Sequence, residues 1–128
     1  MSPTPPTVLL DRSFIAALTD RTHPEHGRIA ACYTDLLDEY ERHRIRLRAR
    51  ADLFDRSDPL FAPVERIHVA AQHRRAALRL LEQLGIEAFS VDEDHAITLV
   101  LMRREQITRL ATIDPAFDDF DLTLLPAA

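Results

Sequence analysis

Two aspartates, Asp11 and Asp114, each follow a short apolar run, Val8-Leu9-Leu10 and Leu110-Ala111-Thr112-Ile113. Such runs read as buried strands. An acid just past a strand has an ordinary use, capping the next helix or turn. It can also face the crevice at the carboxyl ends of parallel strands, where open α/β sheets bind ligands. Two acids placed alike shift the balance toward the second use. A third, Asp94, opens a helical stretch that would run back toward the same edge. Carboxylates crowded together raise one another's pKa unless a cation neutralises them, and hard oxygen donors suit Mg2+ or Mn2+. A divalent ion held this way activates water and offsets charge developing on a phosphodiester.

The elements that would have to position these acids alternate along the chain. Val8-Leu9-Leu10 predicts the first strand and Ser13–Leu18 a helix. A turn at His23-Pro24-Glu25-His26 leads into a helix with Ile29, Cys32, Tyr33, Leu36, Leu37 and Tyr40 on one face. From Arg42 to Arg50 arginine falls at every even position, with His43, Ile45, Leu47 and Ala49 between, the pattern of a strand with one wet face. Asp52 to Pro63 reads as a helical turn and loop. Val64, Ile67 and Val69 suggest a third strand, and Ala70–Leu84 a helix closed by Gly85. Ile86–Val91 either pairs or turns. Asp92, Glu93 or Asp94 caps a helix over Ala96–Arg104, and strands follow at Arg109–Ile113 and Leu122–Leu125. Strands alternating with helices, without tight hairpins, imply right-handed crossovers and an α/β fold. The expected architecture is a three-layer α/β/α domain around a central, mainly parallel sheet of four or five strands. The expected bounds are a disordered tail over 1–6 and one domain over 7–128.

Composition removes several functions. All 16 basic residues are arginine, and only Gly27 and Gly85 are glycine. A phosphate-loop nucleotide hydrolase needs a glycine-rich loop and a lysine, Schiff-base chemistry needs a lysine amine, and a receiver-type phosphoacceptor domain normally uses one. The formal charge of −5 argues against nucleic-acid binding through overall basicity, while leaving room for a local basic stripe. The single Cys32 cannot form an internal disulfide and reads as a structural thiol. No apolar run approaches the roughly 20 residues of a membrane-spanning helix, and the opening MSPTPPTVLLD lacks the features of a secretory signal, so a cytoplasmic protein is expected.

The segment VLLDRSFIAAL resembles the opening strand of the PIN domains of VapC-type toxins, with the metal-binding aspartate at Asp11 and a small hydroxyl at Ser13. ALTDRTHPEHGRIAACY resembles the turn and helix that follow. DHAITLVLMRREQITRLATIDPAFDDF is similar to the family's late helix and strand, with Thr112-x-Asp114 and Phe117 matching its last acidic motif. The family's aspartate before the late-helix alanine is His95 here, with Asp94 one position earlier. Its glutamate after the second strand has only Asp52 or Asp55 as counterparts. The resemblance implies a PIN-like fold and a metal-dependent endoribonuclease. Asp11, Asp94 and Asp114 would hold Mg2+ or Mn2+, Asp52 or Asp55 would stand on the rim, and Ser13, Thr112 and His95 would be auxiliary. It also implies an RNA substrate, a small cognate antitoxin and a homodimer. The alternative is a catalytically degenerate PIN domain that binds RNA or protein.

Outside the acids, the arginine comb has two uses. Arg46, Arg48 and Arg50, with Arg103 and Arg104 of the late helix, are candidate contacts for an RNA backbone or an antitoxin. The plainer alternative is a solvated strand face paired with Glu39, Glu41 or other acids. His23 and His26 flank a turn proline without a cysteine partner and read as surface turn residues, with His68 and His73 equally weak as ligands.

Overall fold

The computed structural model of the protein describes residues 4–85 and 90–127. Within them the chain runs β1 (Thr7–Leu10), α1 (Arg12–Thr19), α2 (His26–Glu41), β2 (Arg46–Arg50), β3 (Val64–Ile67), α3 (Ala71–Leu84), α4 (Glu93–Arg104), β4 (Arg109–Ala111) and β5 (Thr123–Leu125). Short 3-10 turns occupy Ala51–Leu53, Pro59–Phe61 and Pro115–Phe117. The reading of Ile86–Val91 falls mainly on residues 86–89, outside the described residues.

The five strands form one sheet in the order β3-β2-β1-β4-β5, and every pair is parallel. Both faces are covered, as a parallel sheet requires. On one face Val8, Leu10, Leu47, Ala49, Val64 and Ala111 meet Phe14, Ile15, Ile29, Tyr33 and Leu36 of α1 and α2. On the other, Leu9, Ile67 and Leu110 meet Ala77 of α3 and Ala96, Ile97, Val100 and Leu101 of α4. This is the three-layer α/β/α domain expected from the alternation. Phe14, Ile15 and Tyr33 lie in the core, Leu37 packs against it, and Tyr40 is exposed.

The second strand is shorter than the arginine pattern predicts. Helix α2 continues to Glu41, and His43 takes a left-handed φ of 60°, so the chain becomes extended only at Arg46. There the Arg46 N–H donates to the Pro6 carbonyl at 2.9 Å, the last rung of pairing beside β1. Gly85 terminates α3 with a φ of 66°, which favours glycine. Cys32 is partly buried against the core, and burial pushes its thiol pKa up, as a structural thiol requires.

Tyr33 ties the helical layer to the loop after β2. Its ring lies between Phe14 and Phe61, and its hydroxyl donates to the Leu60 carbonyl at 2.6 Å. Burial pushes the phenol up to about 12, so it remains a donor across the working range of pH. Tyr33→Phe keeps the ring and strands the carbonyl. It is expected to lower unfolding stability by about 1–3 kcal/mol in urea denaturation.

Candidate functional site

The strand order reverses between β1 and β4, and Asp11 and Asp114 follow these two neighbouring strands. That is the position at which an open α/β sheet leaves a crevice. Asp11 is 3% exposed. Its N–H continues the β1–β4 pairing by donating to the Ala111 carbonyl at 2.9 Å, and its side chain caps α1. The carboxylate oxygen Oδ2 accepts from the Ser13 hydroxyl at 2.9 Å, the Thr112 hydroxyl at 2.8 Å and, more distantly, the Ser13 N–H at 3.4 Å. Each hydroxyl oxygen is in turn an acceptor, Ser13 from the Ile113 N–H at 3.1 Å and Thr112 from the Asp114 N–H at 3.0 Å. A hydroxyl carries one proton. With both protons aimed at Asp11, the 3.0 Å approach of Ser13 Oγ to Thr112 Oγ1 is a contact between two acceptors held together by the carboxylate. Among the described residues no donor reaches Asp11 Oδ1, which is left facing the cleft.

Asp114 caps the turn Pro115–Phe117 through the Ala116 N–H, 2.9 Å from Oδ1. Its other oxygen lies 2.6 Å from His95 Nε2. The Asp92 N–H donates to His95 Nδ1 at 3.1 Å, so in the neutral ring the proton sits on Nε2 and is donated to Asp114. Phe117 closes on the ring edge-on at 5.2 Å and fixes its plane. Burial pushes Asp114 up, but the Ala116 N–H and His95 outweigh it and hold the carboxyl below its usual range.

Asp94 turns elsewhere. Arg12 forks onto it, Nε to Oδ2 at 3.1 Å and Nη2 to Oδ1 at 2.9 Å, while Arg50 Nη1 reaches Oδ1 at 2.7 Å from the protein side. Arg50 also forks onto Asp52 at 3.2 and 2.8 Å, and Arg12 comes within 3.7 Å of the same carboxylate. Two arginines and two aspartates thus form a closed ring. The Arg50 side chain is 4% exposed and that of Arg12 54%. An exposed pair is worth about 0–1 kcal/mol, whereas removing one partner from a buried pair costs about 3–5 kcal/mol. The Arg50 half of the ring is therefore structural, and the Arg12 half is held loosely.

Asp11, Arg12, Ser13, Ala16, Asp92, Asp94, His95 and Asp114 line one open cleft of about 510 Å³. Asp52 stands at its rim through the ring. Asp55 does not join it, since its carboxylate closes a local turn with Ser57. Among the described residues no three His, Cys, Asp or Glu side chains gather closely enough to hold one metal ion. A magnesium-type site needs fewer, because such ions keep several waters and bind through one or two carboxylates plus substrate phosphate. Asp11, with an oxygen free, and Asp114, tied to it through Thr112, fit that donor set. Asp94, already facing two cations, does not add to it in this arrangement.

The arginine comb is spent inside the molecule. Arg44 pairs with Glu39, Arg46 with Glu65, and Arg48 with Glu65 and Glu105. Arg50 is not on a wet face at all, because β2 is an interior strand and α4 covers that side. Arg103 and Arg104 end α4, about 14 Å along the helix from Asp94. There they line a second cleft with Arg79 and Asp121, away from the acids. His23 Nδ1 accepts from the Glu25 N–H and His73 Nδ1 from the Ala70 N–H, both local turn contacts. Arg12 was not among the candidates. Its signal was its place, since a cation in the first turn of a helix opposes the helix dipole and needs an acidic partner from elsewhere.

No protein-family model matches the sequence, and no curated protein matches it. The crystal structure of Mycobacterium tuberculosis VapC20, a toxin that cleaves the sarcin-ricin loop, is similar with a TM-score of 0.63. The match covers 87% of this chain and 92% of that one at 16% identity. The fold is PIN-like. In this PIN-like fold the cleft sits at the carboxyl ends of β1 and β4, where Asp11 and Asp114 emerge.

The ring makes a prediction. Burial alone would raise the Asp94 pKa, but the hydrogen bonds and charges of Arg12 and Arg50 outweigh it and hold it at about 2. A depressed carboxyl contributes stability that is fully present above its unfolded pKa near 3.9 and is lost as pH falls toward about 2. Asp94→Asn is expected to lower stability at pH 7 by about 1–3 kcal/mol, because Arg50 loses one of its two acids and keeps Asp52. It should also flatten the loss between pH 4 and pH 2, read by denaturant titration across that window.

Proposed function

We propose that this protein is a divalent-cation-dependent endoribonuclease of the VapC toxin type, acting at the cleft where Asp11 and Asp114 meet. The observation that carries the reading is the pair itself. Two aspartates follow adjacent parallel strands at the strand-order reversal, the Thr112 hydroxyl donates to the Asp11 carboxylate and accepts the Asp114 backbone N–H, and one oxygen of the buried Asp11 is left open to the cleft. Asp11 and Asp114 would hold Mg2+ or Mn2+, which when bound supplies Lewis acidity toward a phosphodiester and lowers the pKa of water. The chain's own groups do the positioning. Ser13 and Thr112 fix the Asp11 carboxylate, and His95 with Phe117 fixes Asp114. Helix α4 closes one wall, where Asp94 is paired with Arg12 and Arg50. Ser13 and Thr112 direct both protons at Asp11, so their role is orientation rather than proton transfer to substrate.

A second reading is a PIN domain that binds RNA or protein without cutting it. It is favoured by the engagement of Asp94 with two arginines and by His95 in the place of the family's aspartate. One set of incubations separates the two, using structured and single-stranded RNA with Mg2+, with Mn2+ and with chelator. Cleavage is expected with either metal, none with chelator, and a loss of two or more orders of magnitude in Asp11→Asn and Asp114→Asn, of about the size seen when metal support is removed. Cleavage that survives chelator and both substitutions would reject the mechanism, and RNA retained without cleavage would favour the binding module.

The same reading carries an RNA substrate, a small antitoxin partner, a homodimer and a cytoplasmic setting. No helix among the described residues is long and apolar enough to cross a membrane. In sedimentation at micromolar concentration the isolated protein is expected to run as a dimer, and a strictly monomeric boundary would count against self-association.

A further inference from the structure

Asp94 has one negative charge and two cations on it. Its Oδ1 accepts from Arg50 at 2.7 Å and from Arg12 at 2.9 Å, and its Oδ2 accepts from Arg12 at 3.1 Å. The two guanidinium groups are not equivalent. Arg50 lies 4% exposed and forks onto Asp52 as well, so it cannot leave without carrying a bare charge through packed side chains. Arg12 lies 54% exposed on the first turn of α1, and water replaces whatever hydrogen bonds it gives up. It also lines the same cleft as Asp11 and Asp114.

Resting on the reading of this cleft as a divalent-cation site, we propose that Arg12 is a displaceable internal counter-ion, whose positive charge, docked on Asp94 in the cleft, opposes a cation held by Asp11 and Asp114. With the cleft ion-free, Arg12 neutralises Asp94 and holds α1 to the start of α4. When the ion is bound, two like charges would face each other across a partly desolvated space, and the exposed one swings out. Arg12 therefore sets how much divalent cation the protein needs before its cleft fills. Its long, planar fork suits it to this, because it grips a carboxylate when docked and is solvated when free.

The consequence is a gain of function on deletion. Removing the Arg12 charge while keeping most of the side-chain length, in Arg12→Gln, should tighten cation binding by about tenfold or more. Arg12→Ala should move it in the same direction. The measurement is a Mn2+ titration of metal-stripped full-length protein at pH 7, read as free Mn2+ by electron paramagnetic resonance. Wild type, Arg12→Gln, Arg12→Ala and Asp11→Asn would be compared, with thermal melts to confirm that each is folded. Tighter binding in both Arg12 variants, with loss in Asp11→Asn, supports the proposal. Equal or weaker binding in the Arg12 variants beside loss in Asp11→Asn overturns it and leaves the cation site standing. No binding in wild type or in either Arg12 variant at millimolar Mn2+, or binding that survives Asp11→Asn, overturns the cation site and the proposal with it.

Discussion

The arrangement of the cleft depends on one buried carboxylate oxygen. Asp11 Oδ2 gathers the hydroxyls of Ser13 and Thr112, and those hydroxyls accept the Ile113 and Asp114 N–H groups. One anion thereby fixes the end of β1, the first turn of α1, the end of β4 and the bend that aims Asp114. A neutral side chain of similar shape would still accept hydrogen bonds, but weaker ones. Hydrogen bonds to a charged acceptor are roughly twice as strong as neutral ones, and the strength matters here because the groups come from separate elements.

Around that fixed point the cleft sorts its charges by burial. His95 is locked to Asp114 by an N–H donated from one side of the ring and a backbone N–H accepted on the other. Arg50 is locked between Asp52 and Asp94. Only Arg12 among the cationic contacts is mostly solvated. The adjacent positions 94 and 95 illustrate the geometry, since a step of one residue on a helix rotates the side chain by about 100°. Asp94 points to the arginines and His95 to Asp114.

Much of the fold was legible in the sequence, and for a physical reason. Buried parallel strands are short apolar runs, and Val8-Leu9-Leu10 and Leu110-Ala111 stand out against charged neighbours, so the acids that follow them were placed at strand ends correctly. Alternation predicts one wet face, which holds for Arg46, partly exposed and paired with Glu65, and fails at Arg50, whose side chain is buried. That rule suits antiparallel sheets with a solvated side, and β2 lies between β1 and β3 with helices on both faces. Arg50 is consequently a buried ion, and its partner Asp94 comes from a residue 44 positions away, a distance over which periodicity carries no information. Arg12 carries no such periodic signal of its partner in the sequence, because Asp94 lies 82 positions away.

The reversed strand order has a consequence for how the protein is made. Thr112, whose hydroxyl bridges the Asp11 carboxylate and the Asp114 N–H, lies 101 residues after Asp11, and β4 inserts beside β1, the first strand of the sheet in chain order. Until β4 arrives, β1 is an edge strand on that side and Asp11 has only the Ser13 side chain as a partner. A nascent chain still on the ribosome can assemble β1, β2, β3 and their helices, yet it has no acidic pair and no cleft. The site is absent until β4 is in place and comes into being in a single step.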